Sequence, residues 1–393
     1  MIPPLQGTVV LELSHAIAGP HCAQILADHG AEVIKIEPPE GERGRVAPPF
    51  LDGESVYFAC HNRGKRSLCL DLKQPAGLDT LLTLCDRADV VITNFSADVP
   101  ARLGWSYDVL AARNPRLVFA HITGFGVTGD QRGVRAYDGV IQAMSGVPDL
   151  TGASDGPPMM AGNFPADHIT GYQAAIAVLM ALVGRAGSGR GAFLDIAMFD
   201  SYFATLSTDI AEAVQGRPRR QSANKVLTGF SDMFSTRDGA IYLAPLGDVA
   251  WQRFCPAVGH PEWLAGVSYD DSIGPLRPQL DRAVAEWAAN RTTAQATKEM
   301  IEAGVACGPV RTLSEAVAVA AAADRGMCAA VEAPHGVRVP VPGPPLRFGL
   351  AERAYADQVP ALGRDTVEVL REFGFDTPHI DDLISHGVTR TAS

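Results

Sequence analysis

One carboxylate in this chain stands where it could do chemistry. Asp167 lies in the stretch NFPADHITGYQAAIAVLMALVGRAGSGRG, at the head of an apolar run with helical character that closes at the glycines. The commonest role for an aspartate at a helix start is an N-cap, accepting a backbone N–H of the first turn. Two features leave a second role open. Gly162, Ala166 and Gly171 are small and leave room for a ligand to approach. The helix dipole would also keep the carboxylate ionised, as a nucleophile or base requires. A basic set lies upstream: Arg63, Lys65, Arg66 and Lys73 crowd HNRGKRSLCLDLK, with Arg43, Arg45, Arg102, Arg132 and Arg135 nearby in sequence. Taken singly, each reads as solvated surface charge. As a set in loops between strand ends and helices, they can hold a phosphorylated ligand.

Other chemistries lack their residues. The first strand-turn-helix reads LSHAIAGP and not GxGxxG, so a nicotinamide dinucleotide finds no glycines for its pyrophosphate, although Glu37 ends the second strand where a ribose would be held. There is no GxxxxGK[ST] phosphate cradle and no HExxH, and no paired Cys/His spacing points to a metal. The ten histidines are dispersed and read as surface or satisfied core residues.

The elements that must position these groups follow from periodicity. TVVLEL (8–13), AEVIKIE (31–37), RSLCLDL (66–72), DVVITNF (89–95) and RLVFAHI (116–122) are short β-rich runs. Helical spacing separates them, as in GPHCAQILADHG (19–30) and the Pro-opened PAGLDTLLTLCDRA. This alternation predicts βαβ units and an α/β fold with a doubly wound, parallel, Rossmann-like sheet. FLDIAMF after the long helix reads as a further strand. QGRPRRQSANKVLTG (215–229) is polar and basic like a linker, and FSDMFSTRDGAIYLAPLG (230–247) reads as a hairpin turning at Arg237-Asp238-Gly239. Helices carrying Trp251, Trp263 and Trp287 complete a smaller α+β domain, and the tail reads as Pro-rich turns (VPVPGPPLRF) before a helix or two.

The chain's 393 residues, 47% of them hydrophobic, can bury a sizeable core and suggest about two domains. A net charge of -11 argues against nucleic-acid and membrane-surface partners. Cys22, Cys60, Cys69, Cys85, Cys255, Cys307 and Cys328 form no CxxC, so free thiols and a cytoplasmic location are expected. MIPPLQGTVVLEL lacks a basic n-region and an apolar h-region, and the run Ala174 to Val183 reads as too short to span a bilayer.

Several ordered stretches together resemble the class III CoA-transferases, the family of formyl-CoA transferase and carnitine CoA-transferase. They are AGPHCAQILADHGAEVIKIEPPEG, NRGKRSLCLDLKQPAG, ADVVITNFSADVPARLGWSYDVL, RAYDGVIQAMSG, the Asp167 stretch with its DIAMFD ending, VPGPPLRF and ALGRDTVEVL. The resemblance covers nearly the whole chain and implies that Asp167 is the nucleophile. Coenzyme A, entering as an acyl-CoA substrate, is then the only cofactor, and no metal is expected. By position the implied CoA contacts are Ile17 and Ala18, then Leu70, Asp71, Leu72 and Lys73, then Asn94, Phe95, Ser96 and Arg102, and finally Arg135, Ala136, Tyr137 and Asp138. The resemblance further implies a large domain from both chain ends (1–200 and 330–393), a linker over 201–224, a small α+β domain over 225–329, and an interlocked homodimer.

The implied reaction is attack by Asp167 on an acyl-CoA thioester, formation of an aspartyl-CoA thioester, and transfer of CoA to a small carboxylic acid, with oxyanions held by backbone amides. Formyl-CoA transferases carry glutamine in place of Ile17 and arginine in place of Pro38, and their glycine-rich substrate loop is replaced by APLGDVAW (244–251). The pattern is closer to members that use succinyl-CoA or another dicarboxyl-CoA donor. The same fold family includes α-methylacyl-CoA racemases, whose GHD motif stands here as Ala136-Tyr137-Asp138. Tyrosine, with an ordinary pKa near 10, is a poor replacement for a neutral-pH base. A racemase or isomerase, and a non-catalytic CoA- or dinucleotide-binding protein, are the alternatives to transfer.

Overall fold

Six short, largely apolar runs form the central sheet of the computed structural model, which describes residues 3–392 apart from 154–155, 217–229, 270, 271, 273, 275, 324 and 349–355. The strands are β1 (Val9–Leu13), β2 (Glu32–Glu37), β3 (Arg66–Cys69), β4 (Val90–Thr93), β5 (Val118–Thr123) and β6 (Phe193–Ala197). Their order is β3-β2-β1-β4-β5-β6 and every pairing is parallel. Parallel strands need crossovers, and helices supply them. α1 (Ala18–Ala27) joins β1 to β2, α2 (Val56–Asn62) precedes β3, and α3 (Pro75–Cys85) and α4 (Tyr107–Arg113) flank β4. α5 (Asp138–Ser145) and α6 (Pro165–Ser188) lie between β5 and β6. One face of the sheet buries Val10, Val33, Val90 and Val118 against α1 and α6; the other buries Leu11, Ile34, Leu68 and Val91. That two-sided burial explains why the strands read as continuous apolar runs. Strand order reverses between β1 and β4, so a crevice opens past their carboxyl ends.

The chain divides into two compact units, one of residues 1–147, 160–210 and 320–393, the other of residues 148–159 and 211–319. The second holds a three-stranded sheet in which β7 (Asp232–Ser235) pairs antiparallel with β8 (Ala240–Leu243), which pairs with β9 (Cys307–Pro309). The hairpin turn falls where Arg237-Asp238-Gly239 places it, and Asp238 accepts the Thr293 N–H at 2.7 Å. Trp251, Trp263 and Trp287 sit in this unit's core with Phe230 and Phe254.

Three expectations change. Residues 198–203 and 208–214 are helices, so the expected linker is helical in its first part, and 217–224 lie outside the described residues. Arg338–Pro342 within the Pro-rich tail is a strand, β11, pairing antiparallel with β10 (Cys328–Glu332). Val339 and Val341 alternate inward while Pro340 and Pro342 face out, which lets an edge strand carry two prolines. The apolar run after Asp167 belongs to a 24-residue helix, long and apolar enough to cross a bilayer by length and composition, contrary to the sequence reading. Its Ala166, Thr170, Gly171, Ala174, Ala175 and Val178 are buried, and its main packing partner is α1.

Beneath the crevice three charges lie out of water. Glu12 on β1 pairs in register with Lys35 on β2, and its Oε1 stands 2.9 Å from the Lys35 Nζ. Lys65, just before β3, reaches Glu12 Oε2 at 2.7 Å and donates to the Pro20 carbonyl and to Asn62 Oδ1, each at 2.9 Å. Lys35 also donates to the Ser14 carbonyl at 3.0 Å. Burial alone would raise the Glu12 carboxyl, but the two ammonium groups outweigh it and hold the pKa at about 2. Removing one partner of such a group leaves uncompensated buried charge. Glu12→Gln is expected to lower unfolding stability by about 3 kcal/mol, read as a shift of the urea midpoint at neutral pH; an unchanged midpoint would contradict the role given to this network.

Candidate active site

The crevice is a cleft of about 560 Å³ built wholly from residues of the sheet-bearing unit. Ser14 and His15 after β1, Ile36 near the end of β2, Pro38 and Glu40 to Arg43 after it, Asn94 to Ala97 after β4, Thr123 and Gly124 at the end of β5, and Arg132 to Tyr137 line it. All are at strand carboxyl ends or in the loops that follow, the usual ligand position in a doubly wound sheet.

Its floor is a held loop. Asn94 Oδ1 accepts the His15 N–H at 3.0 Å, and Asn94 Nδ2 donates to the His15 carbonyl at 2.7 Å. The next residue, Ala16, has φ 65, a left-handed conformation costly for a side chain, and its N–H is directed at Glu42 Oε2, 3.3 Å away. α1 then begins at Ala18 with no side-chain cap.

Asp167 lies in the first turn of α6 and is not among the residues that line the cleft. It is not the N-cap: Phe164 occupies that position. Its own N–H donates to Asp138 Oδ2 at 3.1 Å. Asp138, the first residue of α5, is buried and hydrogen-bonded to Gln142, and it directly follows cleft residues Ala136 and Tyr137. Burial first, then the negative charge of Asp138, push the Asp167 carboxyl up to about 7. The dipole expectation of a firmly ionised group is thereby corrected: desolvation dominates at this helix start. A Cβ on Gly171 would stand 2.8 Å from His21 Cδ2 and 3.1 Å from the Ala18 carbonyl oxygen, so only glycine lets the start of α6 approach the start of α1 this closely.

Three of the histidines that seem dispersed in sequence converge beside Asp167. His61 and His168 set their Nε2 atoms 3.5 Å apart, while their Nδ1 atoms meet the carbonyls of Tyr57 (2.9 Å) and Phe164 (2.7 Å). His21 packs edge-on against His168 with ring centroids 4.9 Å apart. Burial, then the neighbouring imidazole of His168, hold His21 at about 3; burial also dominates in holding His61 at about 4, so both are uncharged at neutral pH. They fill the α1/α2/α6 junction without adding positive charge that would pull the Asp167 pKa back down.

The other sequence-assigned residues divide by location. Asn94, Phe95, Ser96, Arg135, Ala136 and Tyr137 line the cleft. Ile17 and Ala18 are buried and can offer only backbone. Asp138 lies behind the wall, where it holds Asp167. Leu70 is buried, Leu72 packs into the core, Asp71 accepts the Lys73 N–H and a bond from Gln74, and exposed Lys73 and Arg102 are off the cleft, Arg102 being paired to Asp98 at 3.5 Å. Of the basic set, Arg43, Arg132 and Arg135 line the cleft. Arg45 is clamped on Glu37, Arg63 on Asp28, Lys65 on Glu12, and Arg66 on Glu32 and Glu372. Sequence reasoning missed Ser14, His15, Glu42 and Thr123 in the lining; the available signal was that each ends or follows a strand running into the crevice. No group of three or more His, Cys, Asp or Glu that could hold a metal occurs among the described residues.

The family model for CoA-transferase family III matches residues 5–366. The chain is 34% identical over 387 residues to the succinate–glutarate CoA-transferase of Agrobacterium fabrum, covering 94% of this chain and 96% of that one. It is 32% identical over 380 residues to the succinyl-CoA:mesaconate CoA-transferase of Haloarcula hispanica, with the same coverages, 94% and 96%. Among solved structures, a CAIB/BAIF family protein from Brucella suis superposes with TM-score 0.82 at 31% identity, covering 95% of this chain and all of that one.

An aspartate can act as a nucleophile or base only when ionised, so any activity that uses the Asp167 carboxylate is expected to rise with pH through an apparent pKa near 7, read as the low-pH limb of its rate profile. Asp138→Asn removes the neighbouring charge but keeps an oxygen for the Asp167 N–H, so the limb should move to lower pH. A limb that stays in place, or moves up, would contradict the coupling.

Proposed function

The chain belongs to CoA-transferase family III, and from that membership we propose that it moves CoA from succinyl-CoA or another dicarboxyl-CoA to a small carboxylic acid through a thioester on Asp167. The observation that carries the reading is a half-buried aspartate tied through Asp138 to the wall of a cleft that carries Arg43, Arg132 and Arg135. Those guanidinium groups suit the phosphates of CoA, in a chain whose overall charge is -11. The names of the relatives, which act on succinate, glutarate and mesaconate or their CoA esters, support a dicarboxylic substrate class.

In the proposed cycle an Asp167 oxygen attacks the thioester carbonyl, the C–S bond breaks, and a mixed anhydride and CoA thiolate form. The thiolate attacks the Asp167 Cγ, the anhydride C–O bond breaks, and the donor acid leaves. The acceptor carboxylate then attacks the aspartyl thioester and the same steps run in reverse. No oxidant, reductant or net proton is consumed. Each step passes through an oxyanion, and the uncapped first turn of α1, brought against α6 at Gly171, is the source of N–H groups for it. A dry site strengthens those contacts. The racemase alternative lacks its imidazole, since Tyr137 stands at that position of the cleft wall.

The reading extends to a homodimer, interlocked as in the family. The stripe Ile176, Met180 and Val183 on α6, exposed at 45%, 69% and 76%, supports a partner that covers it.

Asp167→Ala should lose transfer by at least about 10,000-fold while CoA binding is kept, because covalent catalysis is removed and the cleft is not. Transfer at the wild-type rate, or solvent deuterium entering the acyl α-carbon without an acceptor acid, would refute the reaction. Met180→Asp should convert the protein to monomers in light scattering; a wild-type monomer, or a variant that remains dimeric, would remove this stripe from the interface.

A further inference from the structure

Glu42 is a cleft residue that the reaction above does not use. It is only 7% exposed, yet it lines the cleft. Its two oxygens differ. Oε2 is directed at the N–H groups of Ala16 (3.3 Å) and Gly44 (3.2 Å) and so holds the left-handed turn at Ala16. Oε1 has no hydrogen-bond partner, and the Lys35 ammonium with which it forms an ion pair stands 3.8 Å away. A Cβ on Gly44 would stand 2.6 Å from this oxygen, so the glycine leaves it room. A buried carboxylate oxygen without a donor is costly, and such oxygens are normally satisfied by a group from elsewhere.

The surroundings indicate which group. The Tyr57 phenol, whose pKa is pushed up mainly by burial, also feels the charges of Asp167 and Glu42. Glu42 also holds Ala16, the residue before the turn that starts α1. Its tie to Ala16 sets it by the start of α1, which Gly171 brings against the first turns of α6, and so toward the thiol end of a bound CoA. The pantetheine arm presents secondary-amide N–H donors there. A carboxylate repels phosphate and accepts from an amide.

Resting on the CoA-transferase reading, we propose that Glu42 Oε1 accepts the N–H of the pantetheine amide nearest the thiol, so that the same side chain shapes the Ala16 turn and sets how far the thiol reaches toward Asp167. Glu42 is then a substrate-binding residue, and its carboxylate selects an amide-bearing arm.

The test is calorimetric titration of the full-length protein with CoA, with a CoA analogue whose thiol-proximal amide is an ester, and with 3′,5′-ADP. Glu42→Gln should weaken CoA by about 10- to 100-fold, the usual effect of losing a hydrogen bond to a charged group. Binding of 3′,5′-ADP, which lacks the arm, should be unchanged in that variant. The ester analogue should weaken binding to the wild type by a similar factor, and the two losses should not add. Equal binding of ester and amide by the wild type, additive losses, or equal loss of CoA and 3′,5′-ADP in Glu42→Gln would overturn the assignment. The analogue comparison needs no variant and holds even if Glu42→Gln fails to fold. Wild-type protein that binds none of the three ligands would instead overturn the CoA reading itself, and this inference with it.

Discussion

A carboxylate shared by two ammonium groups, all three out of water, is the constraint on which the site depends. Glu12, Lys35 and Lys65 come from β1, β2 and the approach to β3, so the trio fastens three adjacent strands. Lys65 also donates to Asn62, and the two ammonium groups reach the Ser14 and Pro20 carbonyls, which bracket the turn from β1 into α1. That turn carries His15 in the cleft and Ala16 in its left-handed conformation, and it starts the helix against which Gly171 packs. A buried ion pair is a weak source of net stability, because desolvation offsets most of the Coulomb gain. What it supplies here is geometry: the donors can be satisfied in one arrangement of the loop.

The site then balances charge in a chain that is acidic overall. Three arginines and Glu42 line the cleft, and Asp138, behind its wall, holds the Asp167 N–H. On the proposed CoA-transferase reading, the arginines draw the cofactor's phosphates and Glu42 its uncharged arm. Burial and the Asp138 charge keep Asp167 close to its ionisation point at neutral pH. An aspartate of ordinary pKa would be a weaker base and so a poorer nucleophile; one shifted much higher would be protonated and inactive. The uncharged imidazoles of His21 and His61 serve the same balance by occupying volume without contributing a cation.

The parallel sheet is legible because each strand, buried on both faces, has no polar alternation to blur its apolar run, and because the helices between strands are marked by Pro and Gly at their ends. Asp167 is legible as a special position, and the family motifs give it a role. The partners of the basic residues are not legible. Lys65, Arg63 and Arg66 stand in one short run with Lys73, yet three of the four are clamped by acids from distant segments, such as Asp28 and Glu372. Only the fold decides whether an arginine in a loop meets an acid or a cleft. The histidine cluster is invisible for the same reason: residues 21, 61 and 168 are far apart in sequence and are joined by the packing of α1 on α6. Asp138 reads as part of a ligand loop, but it begins a helix, and that places its carboxylate under Asp167 instead of in the cleft.

The central claim is that Asp167 carries the acyl and CoA groups in turn. Borohydride reduction of the enzyme after mixing with succinyl-CoA, followed by peptide mass mapping, tests it directly, because borohydride reduces a thioester to an alcohol and spares a free carboxylate. The account predicts that the Asp167 side chain is converted to the alcohol only when the acyl-CoA is present. Productive transfer with Asp167 unmodified, or reduction mapped to another side chain, would contradict it.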